Sequence, residues 1–528
     1  MLRKNRQQHY GREVMKRRWS EDDAVRPLKR LRSGAKTCLF ELSDELLLRI
    51  LSYLRLESVT RCESVCRKLS TLCRDNEIWR EKYYNQFVRH RARRIPGSTT
   101  KDGSATTNAT FSSRSMKWLE HAHLIDPDAE TNWKHAFKVK YNWTQGRART
   151  SELKLACGST VLAKVHRGCL YTADSQHGLR VWRNGKVLHR HVLTETSIPS
   201  ALAVATENGS TRIALGFEDG TLTHYHLKKE DTAAELIRNS SIEVSATSSS
   251  ITSISLTWPY CLTMNTANAL TLLEWHAASR TWKGLASLHC EANLSPAALS
   301  LRKTASTLVA GIAYAFDRFN AGWCLGLQEI RMDLTGSIVK NRTTSSISTP
   351  IRDTLRKPQF TSRSASTAPF SLHPQLMRAP NSLSYSGCYI LAGLPDNTLM
   401  VYTVMSTADK LEINVGRRLW GHTSAVSAAE VTSTGKAVSI SAKSDEMRYW
   451  ELEDLLTGYS QQKTSTTILP LQKLTDAISK RGEGLGLAVK EVNRETELIR
   501  RGISFDDEQA VVIGQRGHGH FISCFDFA

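Results

Sequence analysis

Two histidine pairs come nearest, by type and spacing, to a chemical site. His224 with His226, and His518 with His520, stand two residues apart, which on a β-strand puts both rings of a pair on one face. Such a pair can offer two imidazoles to a metal. Strand-surface histidines with no ligand show the same spacing and form the commoner reading. No Gly-rich phosphate loop, Cys-x-x-Cys pair, His-Glu-x-x-His or Gly-x-Ser-x-Gly elbow occurs. Catalytic groups can be gathered from distant positions, but nothing nominates a nucleophile. The sequence therefore points to recognition, with no catalytic residue and no cofactor.

The elements that must position a recognition surface begin with a helical block, Leu39 to Phe87. Leu46, Leu47, Ile50, Leu51 and Leu54 recur at helical spacing and read as one broad apolar stripe. Ser43 stands where an N-cap is expected, and Asp44 and Glu45 put negative charge on the first turn. A second amphipathic run follows through Val59, Cys62, Val65, Cys66, Leu69 and Leu72, and a third from Ile78 and Trp79 to Tyr83 and Phe87. About fifty residues make a marginal core, so part of this apolar surface should need a partner.

This block resembles an F-box, the motif that docks substrate receptors onto the Skp adaptor of SCF ubiquitin ligases. The resemblance rests on Leu39 to Leu54, on Val65-Cys66-Arg67 and on Asp75 to Trp79. It implies adaptor contacts through Leu42, Ser43, Leu46, Ile50, Leu54 and Val65, with Trp79 as core support. One departure stands out: Ser43 occupies the place of a proline that would fix the backbone where the helix begins.

At 528 residues the chain exceeds one ordinary domain, and 40% hydrophobic residues suit a globular protein. No run of eighteen apolar residues occurs, so no membrane span is expected. The eleven cysteines lack paired metal spacing and read as reduced thiols of the nucleus or cytoplasm. Net charge is +20, and residues 1–36 hold twelve Lys/Arg against four Asp/Glu. Their clusters, Lys16-Arg17-Arg18 and Lys29, Arg30 and Arg32, have the form of a nuclear-localisation signal, beside the plainer reading of a solvated disordered tail. A mitochondrial presequence is disfavoured by Glu21, Asp22 and Asp23.

Residues 37–88 are thus taken as the F-box, 89–115 as a disordered Gly-Ser-Thr linker and 116–148 as a helical spacer with Trp133, Phe137 and Tyr141 at helical spacing. Its ending, Asn142-Trp143-x-x-Gly146, resembles that of F-box proteins of the WD-repeat branch. From about residue 149 the pattern turns to short β-rich runs broken by Gly, Asn and Asp. Asp219-Gly220-Thr221-Leu222 and Asp396-Asn397-Thr398-Leu399 repeat one device, a tight turn entering an alternating strand, and Gly421-His422 precedes Trp450 by 28 residues.

These features resemble a WD-repeat propeller over residues 149–528, so the expected fold class is α+β: all-α F-box helices, then an all-β propeller. Seven blades are expected, with six or eight as neighbouring counts, and the alternating Phe521 to Phe527 should close the ring against the first blade. Ser/Thr-rich residues 335–382 are expected as a disordered insertion, and 455–500 as a second with a helix near Leu485 to Ile499. Asp219 and Asp396 match the aspartates with which such repeats tie their turns.

The resemblance implies a non-catalytic substrate receptor that binds the Skp adaptor, through it cullin, and an unknown client. Lys443, seven residues before Trp450, occupies an offset where related propellers can place a basic contact to phosphorylated segments, and a solvated lysine is the alternative. An F-box scaffold outside SCF and a basic nucleic-acid-binding propeller remain as rivals.

Overall fold

The computed structural model describes residues 39–88 and 132–155 and, with short interruptions, 160–346, 378–452, 466–468 and 498–528. The basic clusters of residues 16–32, the linker at 89–115 and His518 lie outside the described residues. The chain divides into two compact units, 1–78 and 79–528.

The first unit contains a 3-10 turn, Leu39–Glu41, then α1 (Asp44–Tyr53), α2 (Leu56–Glu63) and α3 (Arg67–Leu72). α4 (Asn76–Tyr83) begins here and runs on into the second unit. Leu47 and Leu51 on α1, Val59 on α2 and Leu69, Leu72 and Cys73 on or beside α3 are buried. Lys68 ties α3 to the first turn of α1 through Asp44 at 3.0 Å. Cys66 caps α3, its sulfur accepting the Leu69 N–H.

In the second unit a helix α5 (Trp133–Gln145) precedes seven antiparallel sheets. Six sheets are built in chain order from residues 162–191, 199–243, 251–289, 297–345, 382–419 and 426–468. The seventh takes three strands from 498–526 and its outermost from Arg149–Leu155, which pairs with Gly519–Asp526. The innermost strand of each sheet touches that of the next all the way round, so the sheets form a closed seven-bladed ring. Ring closure pairs residues 519–526 with a strand that precedes the first blade and completes the last, rather than with the first blade itself.

The middle strands read as unbroken apolar runs because neighbouring blades cover both faces: Tyr389–Gly393 is buried at every position. Asp219 and Asp396 tie their turns as expected, accepting the N–H and hydroxyl of Thr221 and Thr398. Gly220, at φ +83°, provides the left-handed step in the first of these turns, and a Cβ there would meet the Ser249 carbonyl at 3.0 Å. Between the fourth and fifth blades lies a buried carboxylate, Glu329, which accepts from Arg331, Arg342 and Ser406. Burial alone would raise its pKa, but the Ser406, Arg342 and Arg331 hydrogen bonds outweigh that and hold it low.

Two expected insertions are shorter than the sequence suggests. Ile338–Ser345, inside the expected 335–382 insertion, is the outer strand of the fourth blade, where Ser/Thr composition suits a solvent-facing edge. Thr466–Ile468 pairs within the sixth blade, and Leu498 and Ile499 begin a strand; the rest of the expected helix lies outside the described residues.

His224 is fully buried, its ring 4.7 Å from Trp258 and 4.6 Å from Trp275. Burial first, then the charges of Arg212 and His226, pushes it down to about 3. His422 is pushed down to about 4 by burial and by Arg448. Both stay neutral in the fold while the unfolded chain takes up protons below its ordinary value near 6.5, so stability falls as pH drops through that window. Each should cost about 1.4 kcal/mol per pH unit between about 6.5 and 4. Asp506, raised by burial, acts in the opposite sense. Urea unfolding of wild type and His422→Gln at pH 7 and 5 isolates the histidine: the variant should lose less stability between the two.

Candidate functional site

On α1 the apolar residues divide between two sides. Leu47 and Leu51, four apart, face inward at 2% and 3% exposure. Leu46, Ile50 and Tyr53, at i, i+4 and i+7, lie outward at 53%, 41% and 74%. The single broad stripe read from sequence is therefore two stripes, one spent on the core and one left open. Leu39 and Val65 are also exposed, the latter in the turn between α2 and α3. Leu42 and Leu54 are half-buried at the two ends of α1. Leu46, Ile50 and Val65 of the expected contacts are thus open, Leu42 and Leu54 share their area with the fold, and the sequence reading missed Leu39 and Tyr53.

Ser43 is exposed and makes no side-chain cap, against the sequence expectation; its carbonyl accepts the Leu47 N–H. Its φ of −62° is what a proline ring would impose, and its ψ of 153° is extended. Asp44 and Glu45 do occupy the first turn.

Trp79 is buried, but its observed ring partner is Phe137 of α5, edge-on at 5.3 Å, within the second unit. Tyr83 and Phe87 pack likewise on Trp133 and Phe137. Trp79 thus takes part in joining the continuation of α4 to α5. α5 is in turn fixed to the propeller. Trp143 stacks on Phe527 at 3.6 Å and donates its indole N–H to the Asp507 carbonyl at 2.8 Å. Asn142 donates to the Phe527 carbonyl at 2.8 Å, and Lys140, buried, reaches Tyr449 and Glu451. Gly146 ends the helix at φ +67°, the left-handed cap that turns the chain into Arg149–Leu155.

In each antiparallel blade the turns between first and second strands share a face with the α5 junction, and the turns between second and third strands lie at the opposite face. On the α5 side, a cavity of about 600 Å³ is lined by His166–Gly168, Thr206, Thr432–Thr434 and Asp506–Glu508. Its carboxylates are engaged: Asp506 accepts three backbone N–H groups, Asp507 pairs with Lys436 and Glu508 with His135.

The opposite face carries Lys443, exposed on the bend after Lys436–Ser441, its N–H 3.4 Å from Ser424 Oγ. Beneath it, Ser439 bridges His422 Nε2 at 2.6 Å and the Trp450 indole N–H at 2.8 Å, so the Gly-His and Trp read from sequence meet through a serine. Among the described residues no cluster of three or more His, Cys, Asp or Glu is placed to hold a metal, and no helix is long and apolar enough to cross a membrane.

Comparison with known proteins decides the family. A family model described as the F-box protein pof12 beta-propeller matches residues 147–528. The chain belongs to that family. An F-box-like model matches residues 44–85. The chain is 21% identical over 424 residues to F-box protein pof12 of Schizosaccharomyces pombe, covering 78% of this chain and 84% of the relative. It is 27% identical over 162 residues to an F-box protein of Saccharomyces cerevisiae, covering 28% of this chain and only 24% of that protein. Among solved structures, the Cps50 (Swd1) propeller domain of Myceliophteria thermophila aligns over 71% of this chain and 98% of that one, at 11% identity and TM-score 0.42. The designed Ika8 protein aligns over 70% and 83%, at 14% identity and TM-score 0.34. Both likenesses are too slight to carry an argument.

Three substitutions probe this F-box protein. Ser43→Pro should be accepted at a φ of −62° and raise stability by about 0.4–1 kcal/mol through the unfolded chain, read as a higher urea midpoint. Leu47→Ala should cost about 2–5 kcal/mol, whereas Leu46→Ala, at an open position, should change stability by about 0.5 kcal/mol or less in the same assay.

Proposed function

We propose that this F-box protein is the substrate-receptor subunit of an SCF-type E3 ubiquitin ligase. The observation that carries the reading is the open stripe of Leu46, Ile50 and Tyr53, with Val65 and Leu39, on a helical block matched by the F-box-like model. A small unit that leaves five large apolar side chains in water is built to bury them against a partner. Full burial of one such aliphatic side chain is worth about 1.5–3 kcal/mol, and the stripe together can offset the entropy of association. The partner proposed is the Skp adaptor and, through it, cullin.

The propeller would hold the client protein. α5 occupies one face of the ring, so the client is assigned to the opposite face, where Lys443 stands. The chain itself performs no bond chemistry: holding a client beside a charged E2 raises the effective concentration of client lysines at the thioester. We also read the blades as of WD type, on the His422–Ser439–Trp450 relay. The basic residues before the F-box support a nuclear or cytoplasmic setting.

The test is capture of Skp adaptor and cullin by the full-length chain and by a Leu46→Ala/Ile50→Ala variant of unchanged melting temperature. Both partners should be recovered with wild type and fall at least tenfold with the variant. Adaptor without cullin would favour a scaffold outside SCF, and recovery of neither by folded wild type would end the receptor reading.

A further inference from the structure

Three arginines of the fourth blade converge on one carboxylate at the border with the fifth. Arg302 stands near the end of the first strand of that blade, Arg331 near the end of the third and Arg342 on the fourth. The Glu329 side chain is fully buried, and all three guanidiniums reach it. Arg342, itself 9% exposed, makes the closest approach and is its direct counter-charge. Arg331 lies 3.0 Å from Oε1, and Arg302 only 3.6 Å from Oε2. Among the described residues neither Arg302 nor Arg331 pairs with any other carboxylate.

One negative charge is therefore shared by three positive ones, and the Arg302 and Arg331 side chains that carry the excess are only 40% and 26% exposed. Charges drawn out of water in this way call for a counter-charge. The fifth blade offers dipoles but no charge: the Thr407 carbonyl accepts from Arg331 and from Arg342 at 2.9 Å each, and Arg302 lies along Gly387, where a Cβ would sit 3.6 Å from Nη1. The other acids of these elements are placed elsewhere. Asp333 accepts from Thr335 and Ser337 within its own turn, Glu412 pairs with Lys410 at 2.6 Å, and Asp409 is exposed in the turn that follows Thr407. Gly387 lies in a turn between first and second strands, and Thr407 begins one between third and fourth, so the cleft lies toward the α5 face, away from Lys443.

We infer that Arg302 and Arg331 form a binding site for a phosphate dianion, taken as inorganic phosphate or as the terminal group of a small phosphate ester. One dianion balances the two uncompensated guanidiniums, and its oxygens suit their forked donors. A carboxylate or a phosphodiester, with one charge each, leaves one guanidinium unbalanced. The site is independent of the receptor reading, since it involves neither the open stripe of α1 nor the face assigned to the client. A bound ion adds a tie at the border of the fourth and fifth blades, so occupancy stabilises the ring.

The experiment is equilibrium dialysis of the full-length chain against radiolabelled inorganic phosphate in excess sodium chloride. A saturable class of one equivalent should appear, with a dissociation constant below about 1 mM. Arg302→Gln should weaken it at least tenfold while the melting temperature in chloride stays at the wild-type value. Arg280→Gln, which removes an exposed arginine of the third blade, should leave it unchanged. Glu329→Gln removes the competing negative charge, so the folded variant should bind phosphate at least fivefold more tightly, a gain that a purely structural cluster would not give. If that variant does not fold, Arg302→Gln decides alone. At equal ionic strength, phosphate should raise the melting temperature of wild type more than that of Arg302→Gln, which sets aside the general stabilising effect of the salt. Competition by methyl phosphate as strong as by phosphate itself would assign small esters as the source, and weaker competition the free ion. Absence of the saturable equivalent, affinity unmoved by Arg302→Gln, or weaker binding by folded Glu329→Gln would each overturn the inference.

Discussion

The pairing of Arg149–Leu155 with Gly519–Asp526 is the constraint on which the second unit depends. Seven register pairs join segments some 370 residues apart and give the last blade its fourth, outermost strand. α5 ends at Gln145, and one left-handed glycine turns the chain directly into this strand. The position of α5 is therefore set by ring closure. Trp143, stacked on Phe527, and Asn142, bonded to its carbonyl, lock that position from the other end of the chain. The same closure decides which face of the ring is already occupied and which is open.

The helical block solves a different problem. Its helices are short, and α1 spends only one of its two apolar stripes on its own fold. The stripe it keeps open lies on the same helix as the buried one, so the stability of the block and its capacity to bind are carried by adjacent residues, Leu46 beside Leu47 and Ile50 beside Leu51. Such proximity allows binding to be altered by substitutions that leave the core intact.

The parts legible in the sequence were those in which one residue type at a fixed spacing performs one local task. Asp219 and Asp396 announced their turns, Asn142-Trp143-x-x-Gly146 announced a helix end, and alternation in Phe521 to Phe527 announced a closing strand. The division of α1 into two stripes was not legible, because Leu46 and Leu47 are the same residue and only the packing of α2 and α3 tells them apart. Ser43 was read as a cap from its type, although its side chain makes no cap and it is the backbone angle that counts. Glu329 could not be paired beforehand, since Ser406 lies 77 residues away on another blade. Trp420 gave no signal either, for a tryptophan between strands reads as core until the fold shows its ring in solvent.

The two-ended blade also has a consequence in time. Synthesis delivers the helical block and the strand Arg149–Leu155 early, but that strand has no partner until residues 519–526 have left the ribosome. The open stripe on α1 is therefore presented while the ring is still open. Exposure of the stripe and completion of the ring are thus separated in time, and their order follows from strand topology alone.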